Sequence, residues 1–250
     1  LKLSVLVHKF VDDVTLTEIL TNDDRSLMQT ACTELELWSQ SNSMNINLRK
    51  THEMIFGTKA VVNSLVPLQI SGTDISRANS FKLLGIIVQN NLKWSEQVHY
   101  MCSKASKCLF VLRILRRAQL SDDDLVYFYC TVVRPILEYA CPVWQSDCIE
   151  QIQKRALGII YGFELNYCDK LAIAQIDLLS TRREALCRKL FADILLDNQH
   201  CLHHLLPRKR IDTANSVVTR SQKTMSFVLP LFRTNQFRNS FMMRCLLIFI

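Results

Sequence analysis

Two short alternating runs near the N-terminus constrain the fold more than any other feature of the chain. Leu or Val recurs at every second position in residues 3–8, and Thr alternates with larger side chains in residues 14–18. A period of two that is rich in Val and Thr is typical of β-strands. Because only a few residues separate the runs, we predict a β-hairpin with Asp12 and Asp13 at its tight connection.

The adjacent carboxylates of Asp12 and Asp13 suggest a metal site. Carboxylate oxygens held on rigid strands are ligands that Mg²⁺ prefers, and such pairs support two-metal phosphoryl transfer. The same residues also suit an ordinary turn, since the chain has other adjacent aspartates at 23–24 and 122–124. Those others are typical of helix starts. The local pattern leaves both alternatives open.

The composition favours a folded, mostly helical protein. Hydrophobic residues make up 49% of the 250 residues, and Gly and Pro number only 5 each. These values argue against disorder and against a turn-rich all-β fold. The 10 cysteines include no Cys-x-x-Cys pair, and the sequence has no long apolar run or signal peptide. We therefore expect an intracellular protein, nuclear or cytoplasmic, that is not secreted and has no membrane partner.

The excess of basic over acidic residues lies wholly in the second part of the chain. Residues 1–94 carry 9 basic and 9 acidic side chains, whereas residues 95–250 carry 21 and 14, which gives the net charge of +7. A basic helical region suits nucleic-acid binding, because phosphate neutralisation dominates that affinity. A solvated helix face is the alternative.

The order of predicted elements is hairpin, helix, strands and then helices. The first helix is expected to start at a cap in residues 21–24, and a polar, basic loop is expected at 207–224. The final apolar residues 246–250 suit a docked tail or a truncated helix. Strands are predicted at 44–48, 54–57, 65–70 and 81–88, and further helices at 95–117, 121–134, 150–161 and 180–196.

Six ordered segments resemble the C-terminal half of a reverse transcriptase from non-LTR (LINE-type) retrotransposons, and the resemblance extends over nearly the whole chain. The segments are Phe10-Val11-Asp12-Asp13, residues 38–51 with Asn47-Leu48-Arg49-Lys50-Thr51, Phe81-Lys82-Leu83-Leu84-Gly85, Asn91-Leu92-Lys93-Trp94, residues 128–144, and residues 152–157.

The resemblance implies an α+β fold in three parts. Residues 1–94 would be the C-terminal half of a polymerase palm, residues 95–146 a helical thumb, and residues 147–250 a basic helical C-terminal region. The implied activity is RNA-directed DNA polymerase, which copies retrotransposon RNA by two-metal nucleotidyl transfer with two Mg²⁺ ions. The implied partners are an RNA template, a DNA primer and deoxynucleoside triphosphates. The alternative is a non-enzymatic basic helical module that binds nucleic acid.

Two departures from the family pattern bear on activity. The family needs a third aspartate on a strand upstream of the hairpin, and this strand and the fingers would precede Leu1. We therefore expect the chain to be a fragment that is inactive alone. The interval from Trp144 to Ile152 is also shorter than is usual in the family.

The resemblance assigns roles to particular residues. Asp12 and Asp13 would bind metal, and Lys50 would stabilise the leaving pyrophosphate unless it is a plain surface lysine. Phe10 would shape the primer end or simply pack in the core. The other primer-positioning residues are Phe81, Lys82, Leu83 and Gly85, and the candidate contacts to the nucleic-acid backbone are Lys104, Lys107, Arg113, Arg116 and Arg117.

Several other residues allow more than one role. Trp94, Tyr139 and Trp144 could stack on bases or anchor the core. Arg134 and Glu138 are four residues apart on a predicted helix, so we expect them to pair with each other. Residues 200–204 are rich in His and Cys but lack a partner Cys pair, so they do not predict a zinc site.

Overall fold

The computed structural model describes residues 5–20, 26–57, 65–144, 149–209 and 227–249. The chain divides into two compact units, Leu1–Lys93 and Trp94–Ile250. Helices and small sheets are both present, so the predicted α+β class is confirmed.

The described part of the first unit combines helix α1 with short strands in two-stranded pairs. Helix α1 spans Met28–Ser41. The antiparallel pairs are β1 (Leu6–Phe10) with β2 (Asp13–Thr17), β4 (Gln69–Ile70) with β5 (Thr73–Asp74), and β7 (Ser80–Leu83) with β8 (Ile86–Gln89), while β3 (His52–Glu53) and β6 (Ser76–Arg77) pair in parallel.

The hydrophobic core of the first unit is small. Its cluster of buried residues consists of Cys32, Ile70 and Ile75, which come from α1, from β4 and from the residue between β5 and β6. The partly buried side chains packed on it are Leu16, Met28, Ile46, Leu48 and Leu68. The aspartate hairpin is therefore anchored to this core through β2.

The Glu18 side chain provides hydrogen-bond acceptors for the residues at the start of α1. Its carboxylate accepts hydrogen bonds from the Ser26 hydroxyl and the Leu27 amide, both at 2.7 Å. A carboxylate at this end also interacts favourably with the helix dipole. The cap predicted at residues 21–24 lies outside the described residues.

The predicted strand at 44–48 is wrong, because local hydrogen bonds engage this backbone in turns. Helix α1 ends in a Schellman motif: Ser43 has a φ of 54°, and the Met44 amide donates to the Ser39 carbonyl at 2.8 Å. The Asn47 carbonyl then accepts from the Lys50 amide and the Thr51 hydroxyl, each at 3.0 Å.

Three other predicted strands have different bounds. The strand predicted at 54–57 lies instead at His52–Glu53, where it pairs with Ser76–Arg77. The strand predicted at 65–70 is confined to Gln69–Ile70. Residues 81–88 form a hairpin rather than one strand, because a turn at Leu84–Gly85 reverses the chain between β7 and β8.

The second unit is helical in its described residues and includes the long helices expected from the apolar periodicity. The helix at Tyr167–Ala174 was not predicted. The helices are α2 (Ser95–Arg117), α3 (Asp122–Phe128), α4 (Arg134–Glu138), α5 (Glu150–Tyr161), α6 (Tyr167–Ala174), α7 (Leu179–Leu196), α8 (Asn235–Arg238) and α9 (Phe241–Phe249).

A π-helical segment, Tyr129–Val133, joins α3 to α4. It immediately precedes the turn that contains Pro135, whose ring nitrogen cannot donate to the carbonyl one turn earlier. The wider turn keeps Tyr129, Val133 and Leu137 on one side, and all three are fully buried. The chain thus continues in the same direction past the proline without exposing its apolar face.

The C-terminal apolar residues form the helix α9, which packs on α7. The rings of Phe191 and Phe249 are 6.3 Å apart, and the guanidinium of Arg188 lies 4.6 Å from the Phe249 ring centre. Most of the loop predicted at 207–224 lies outside the described residues. Among the helices that the structure describes, none has the length and apolar content needed to cross a membrane.

Candidate functional site

The Asp12–Asp13 pair lies at the turn of the β1–β2 hairpin. Phe10 pairs with Asp13 across the strands, which leaves Val11 and Asp12 as the two turn residues. Both aspartates are exposed, and neither is in a helix. Phe10 is 61% exposed, so it does not pack in the core of this unit.

The hairpin turn is strained. Val11 has a φ of 56°, a left-handed conformation in which a β-branched residue is a clear outlier. Such a conformation costs about 1–2 kcal/mol relative to ordinary backbone. Strained backbone of this kind concentrates at active sites and ligand-binding turns. The strain therefore supports a functional role for the turn that presents Asp12 and Asp13.

The donor chemistry of the hairpin fits Mg²⁺ in part. Two adjacent carboxylates on a strand pair offer the hard oxygen ligands that this ion takes. In the part of the chain that the structure describes, no group of three His, Cys, Asp or Glu side chains is arranged to hold a metal ion. The His- and Cys-rich residues 200–204 are among these described residues.

Lys50 is exposed in a turn that leads into β3. The residues before it, Ile46 and Leu48, pack on the same small core as Leu16 of the aspartate hairpin. The 46–51 segment and the hairpin are thus anchored to one cluster.

The predicted primer-positioning segment forms the β7–β8 hairpin. Its turn residues Leu84 and Gly85 have φ values of 47° and 88°, and positive φ at both positions is the pattern of a type I′ turn. Phe81 and Leu83 are half-buried, whereas Lys82 between them is exposed. The Phe81 ring packs against His52, with 5.2 Å between ring centres.

The five predicted backbone-contacting cations are all exposed on α2, but they do not form one stripe. Lys104 and Arg113 are about two and a half turns apart, which places them on opposite sides of the helix. Arg116 forms an ion pair with Asp122 at 2.7 Å. The other two cations, Lys107 and Arg117, lie near the face of α2 that is directed away from the core.

That face of α2 also exposes apolar side chains that were not predicted to be exposed. Phe110 is 60% exposed and Ile114 is 47% exposed. Steps of three, four and three residues connect Lys107, Phe110, Ile114 and Arg117, so these four side chains share a face. The helical spacing could have revealed this face, because both apolar residues lie off the buried stripe.

Other basic residues of the second unit are engaged in contacts within the fold. The predicted Arg134–Glu138 pair is wrong, because Glu138 binds Arg182 at 2.6 Å instead. Arg183 is buried against the Trp144 ring at 4.4 Å and donates to the Trp144 carbonyl at 3.2 Å. Some of the positively charged side chains of this unit therefore make contacts within the fold.

The three candidate stacking aromatics differ in environment. Trp144 is 1% exposed, and its indole nitrogen donates to the Tyr139 carbonyl at 2.9 Å, so Trp144 is a core residue. Trp94 is partly buried against the same core. Tyr139 is 52% exposed, which leaves its ring accessible.

Comparison of the chain with protein-family models, with curated proteins and with solved structures finds no match in any of the three.

Proposed function

We propose that this chain is part of an RNA-directed DNA polymerase. It would supply the metal-binding hairpin of the palm, the primer-positioning hairpin and a helical thumb that holds an RNA template and a DNA primer. The observation that carries the proposal is the strained, exposed hairpin turn with Asp12 and Asp13. The order of the resembling segments along the chain supports it.

In this proposal Asp12 and Asp13 would hold Mg²⁺ near the primer end, and Lys50 would neutralise the leaving pyrophosphate of the deoxynucleoside triphosphate. Bound Mg²⁺, two ions in the intact enzyme, would stabilise the charge on the attacking and leaving oxygens. Two carboxylates fall short of the three that the resemblance implies. We therefore expect no primer extension by these 250 residues alone. Mg²⁺-dependent synthesis by this chain, abolished by Asp12→Ala, would contradict that expectation.

Metal binding at the hairpin tests the polymerase proposal directly. Mn²⁺, a paramagnetic substitute for Mg²⁺, should broaden the backbone amide NMR signals of residues 10–13. The double variant Asp12→Asn/Asp13→Asn should abolish this broadening. Asp123→Asn, which neutralises an exposed aspartate at the start of α3, is the matched control and should leave it unchanged. Equal broadening in the double variant would contradict the proposal.

The second candidate is a non-enzymatic module that binds nucleic acid, and the exposed cations of α2 favour it. Such binding releases counterions, so log affinity for a duplex should fall with log salt by about 0.9 per phosphate contacted. Replacing Lys107 and Arg117 by Gln should flatten the slope by about one unit per lost contact. The matched control removes the same charge from Arg116 and Arg188, which already contact Asp122 and Glu184, and should change the slope less.

The two experiments separate the candidates. Salt-dependent binding without metal binding at the hairpin would support the module and contradict the polymerase. A flat salt slope would contradict both, and would leave the basic faces as solvated helix surfaces.

A further inference from the structure

Three thiols meet in the core of the second unit. Cys141 lies in the turn after α4, Cys187 on α7 and Cys245 on α9, and each is at most 1% exposed. By contrast, Cys168 and Cys201 are exposed. The buried cluster is independent of the candidate polymerase residues.

Cys187 is the centre of the cluster. Arg183, one turn before Cys187 on α7, donates to the carbonyl of Trp144, three residues after Cys141, at 3.2 Å. These facing segments bring Cys141 close to Cys187, and the two thiols interact. The Arg244 guanidinium, on α9, donates to the Cys187 sulfur, with 3.3 Å between Nη2 and Sγ. The positive charge of Arg183 acts on the same sulfur. The Cys187 sulfur thus accepts a hydrogen bond from Arg244 in an electropositive site beside a second thiol.

These contacts distinguish the two thiols chemically. The hydrogen bond from Cys141 and the charge of Arg244 lower the pKa of the Cys187 thiol, even though burial opposes this. The same hydrogen bond, together with burial, raises the pKa of Cys141. Burial raises the pKa of Cys245 to about 12. Because the thiolate is the nucleophilic form and the Arg244 guanidinium contacts the sulfur of Cys187, Cys187 is the reactive member of the cluster.

We propose that Cys141 and Cys187 are a pair that peroxide oxidises to a disulfide, with Cys187 as the attacking sulfur and Cys141 as the resolving sulfur. The Cys187 thiolate attacks one oxygen of hydrogen peroxide. The O–O bond breaks, Cys187 becomes a sulfenic acid, and the departing hydroxide takes a proton from solvent to form water.

The second step closes the disulfide. The Cys141 sulfur attacks the Cys187 sulfur, the S–O bond breaks and the S–S bond forms. The departing hydroxide takes the proton of the Cys141 thiol and leaves as the second water. The two thiols together lose two electrons, and the peroxide is reduced to two waters.

The burial of the pair selects the oxidant. Hydrogen peroxide is little larger than water, so a small local opening admits it. Helix α9 covers Cys187 through Arg244, so movement of α9 would provide that opening. Oxidation also removes the negative sulfur that Arg244 contacts. The amides of α9 should therefore exchange with solvent faster in the oxidised chain than in the reduced chain.

The test treats the full chain with hydrogen peroxide until the exposed Cys168 is oxidised, and then digests it with trypsin. We expect a linked peptide whose mass is that of the two peptides less two hydrogen atoms. Fragmentation must locate the link, because the tryptic peptide with Cys141 also contains Cys130 and Cys148. Oxidation of Cys168 without a Cys141–Cys187 link would overturn the proposal.

Serine variants test the assigned roles. Cys141→Ser should lose the link and accumulate a sulfenic acid on Cys187, which a 1,3-dione reagent traps. Cys245→Ser is the matched control and should keep the link, since Cys245 is equally buried but takes no part. A link from Cys187 to Cys245, or trapping on Cys141 rather than Cys187, would overturn the assignment. The result with the unmodified chain stands even if a variant fails to fold.

Discussion

Replacing Gln153 by alanine tests the buried polar network that connects α5 to its neighbours. Gln153 is fully buried. Its side-chain oxygen accepts from the Tyr129 hydroxyl at 2.5 Å, and its side-chain nitrogen donates to the Tyr167 hydroxyl at 3.0 Å and the Asp177 carbonyl at 2.9 Å. One side chain therefore holds the π-helical segment, the start of α6 and the residues before α7.

The expected loss follows from these three hydrogen bonds. Each contributes about 1 kcal/mol net, and leaving the buried Tyr129 hydroxyl without its acceptor costs about 1–3 kcal/mol more. Allowing for partial relaxation of the site, we expect Gln153→Ala to lower the free energy of unfolding by about 3–5 kcal/mol. Gln151→Ala removes the same side chain from an exposed position of the same helix, so it should change stability by less than about 0.5 kcal/mol.

Urea unfolding followed by far-UV circular dichroism measures the difference. With a slope of about 2 kcal/mol per molar, the loss lowers the urea midpoint by about 1.5–2.5 M. A double-mutant cycle with Tyr129→Phe should give a coupling energy of about 1–2 kcal/mol. If Gln153→Ala and Gln151→Ala differ by less than about 1 kcal/mol, the network does not stabilise the unit and the reasoning is refuted.

Three further predictions concern other contacts. Glu138→Gln should cost about 1–2 kcal/mol in urea unfolding, because Arg182 holds this carboxylate through two nitrogens at 2.6 and 3.3 Å in a half-buried site. Hydrogen bonds from Ser71 lower the pKa of the Glu36 carboxyl group below its usual 4.5. The contact between Ser71 and the Glu36 carboxylate is therefore fully present above pH 4.5 and is lost as the pH falls through the lowered pKa. The Ser71 amide NMR signal should shift with that acid titration, and Glu36→Gln should remove the response. Gly85→Ala places a side chain at a φ of 88°, which should cost about 1–2 kcal/mol and speed amide exchange in the β7–β8 hairpin.

The elements with strong periodicity were predictable from the sequence. The helices at Ser95–Arg117, Glu150–Tyr161 and Leu179–Leu196 lie at or within one residue of their predicted bounds, because an amphipathic stripe over several turns has few alternative structures. The start of α3 was also predictable, since the Ser121 hydroxyl accepts from the Asp124 amide as a capping serine does.

The short strands of the first unit were less predictable, because pairing decides them rather than local pattern. Residues 44–48 alternate like a strand, yet turn hydrogen bonds take up their backbone groups at both ends. His52–Glu53 becomes a strand through its pairing with Ser76–Arg77, more than 20 residues away. A two-residue strand has too little sequence to carry a periodic signal.

Partners distant in sequence were not predictable at all. Local spacing suggested Arg134 as the partner of Glu138, but the ion pair forms with Arg182, which is 44 residues away in sequence. The same limit applies to Gln153, whose partners come from three separate segments. The sequence shows a charged or polar side chain, whereas the tertiary fold decides whether it is a surface group or a buried link.

Two of the three hairpin turns in the described part of the first unit place a bulky side chain on backbone that suits Gly, Asn or Asp. Turn positions with positive φ are ordinarily occupied by Gly, Asn or Asp, yet Val11 and Leu84 have φ values of 56° and 47°. Each mismatch costs about 1–2 kcal/mol in a unit with a small core. Sequences break local rules of this kind chiefly at functional sites. Both turns fall in segments that resemble polymerase motifs, one beside Asp12 and the other beside Gly85. Positive φ also occurs at Ser71, Gln119 and Gln175, which lie outside the resembling segments, so turn strain alone does not mark a functional site. The mismatch that supports the polymerase proposal is Val11, because it is β-branched and lies directly beside Asp12.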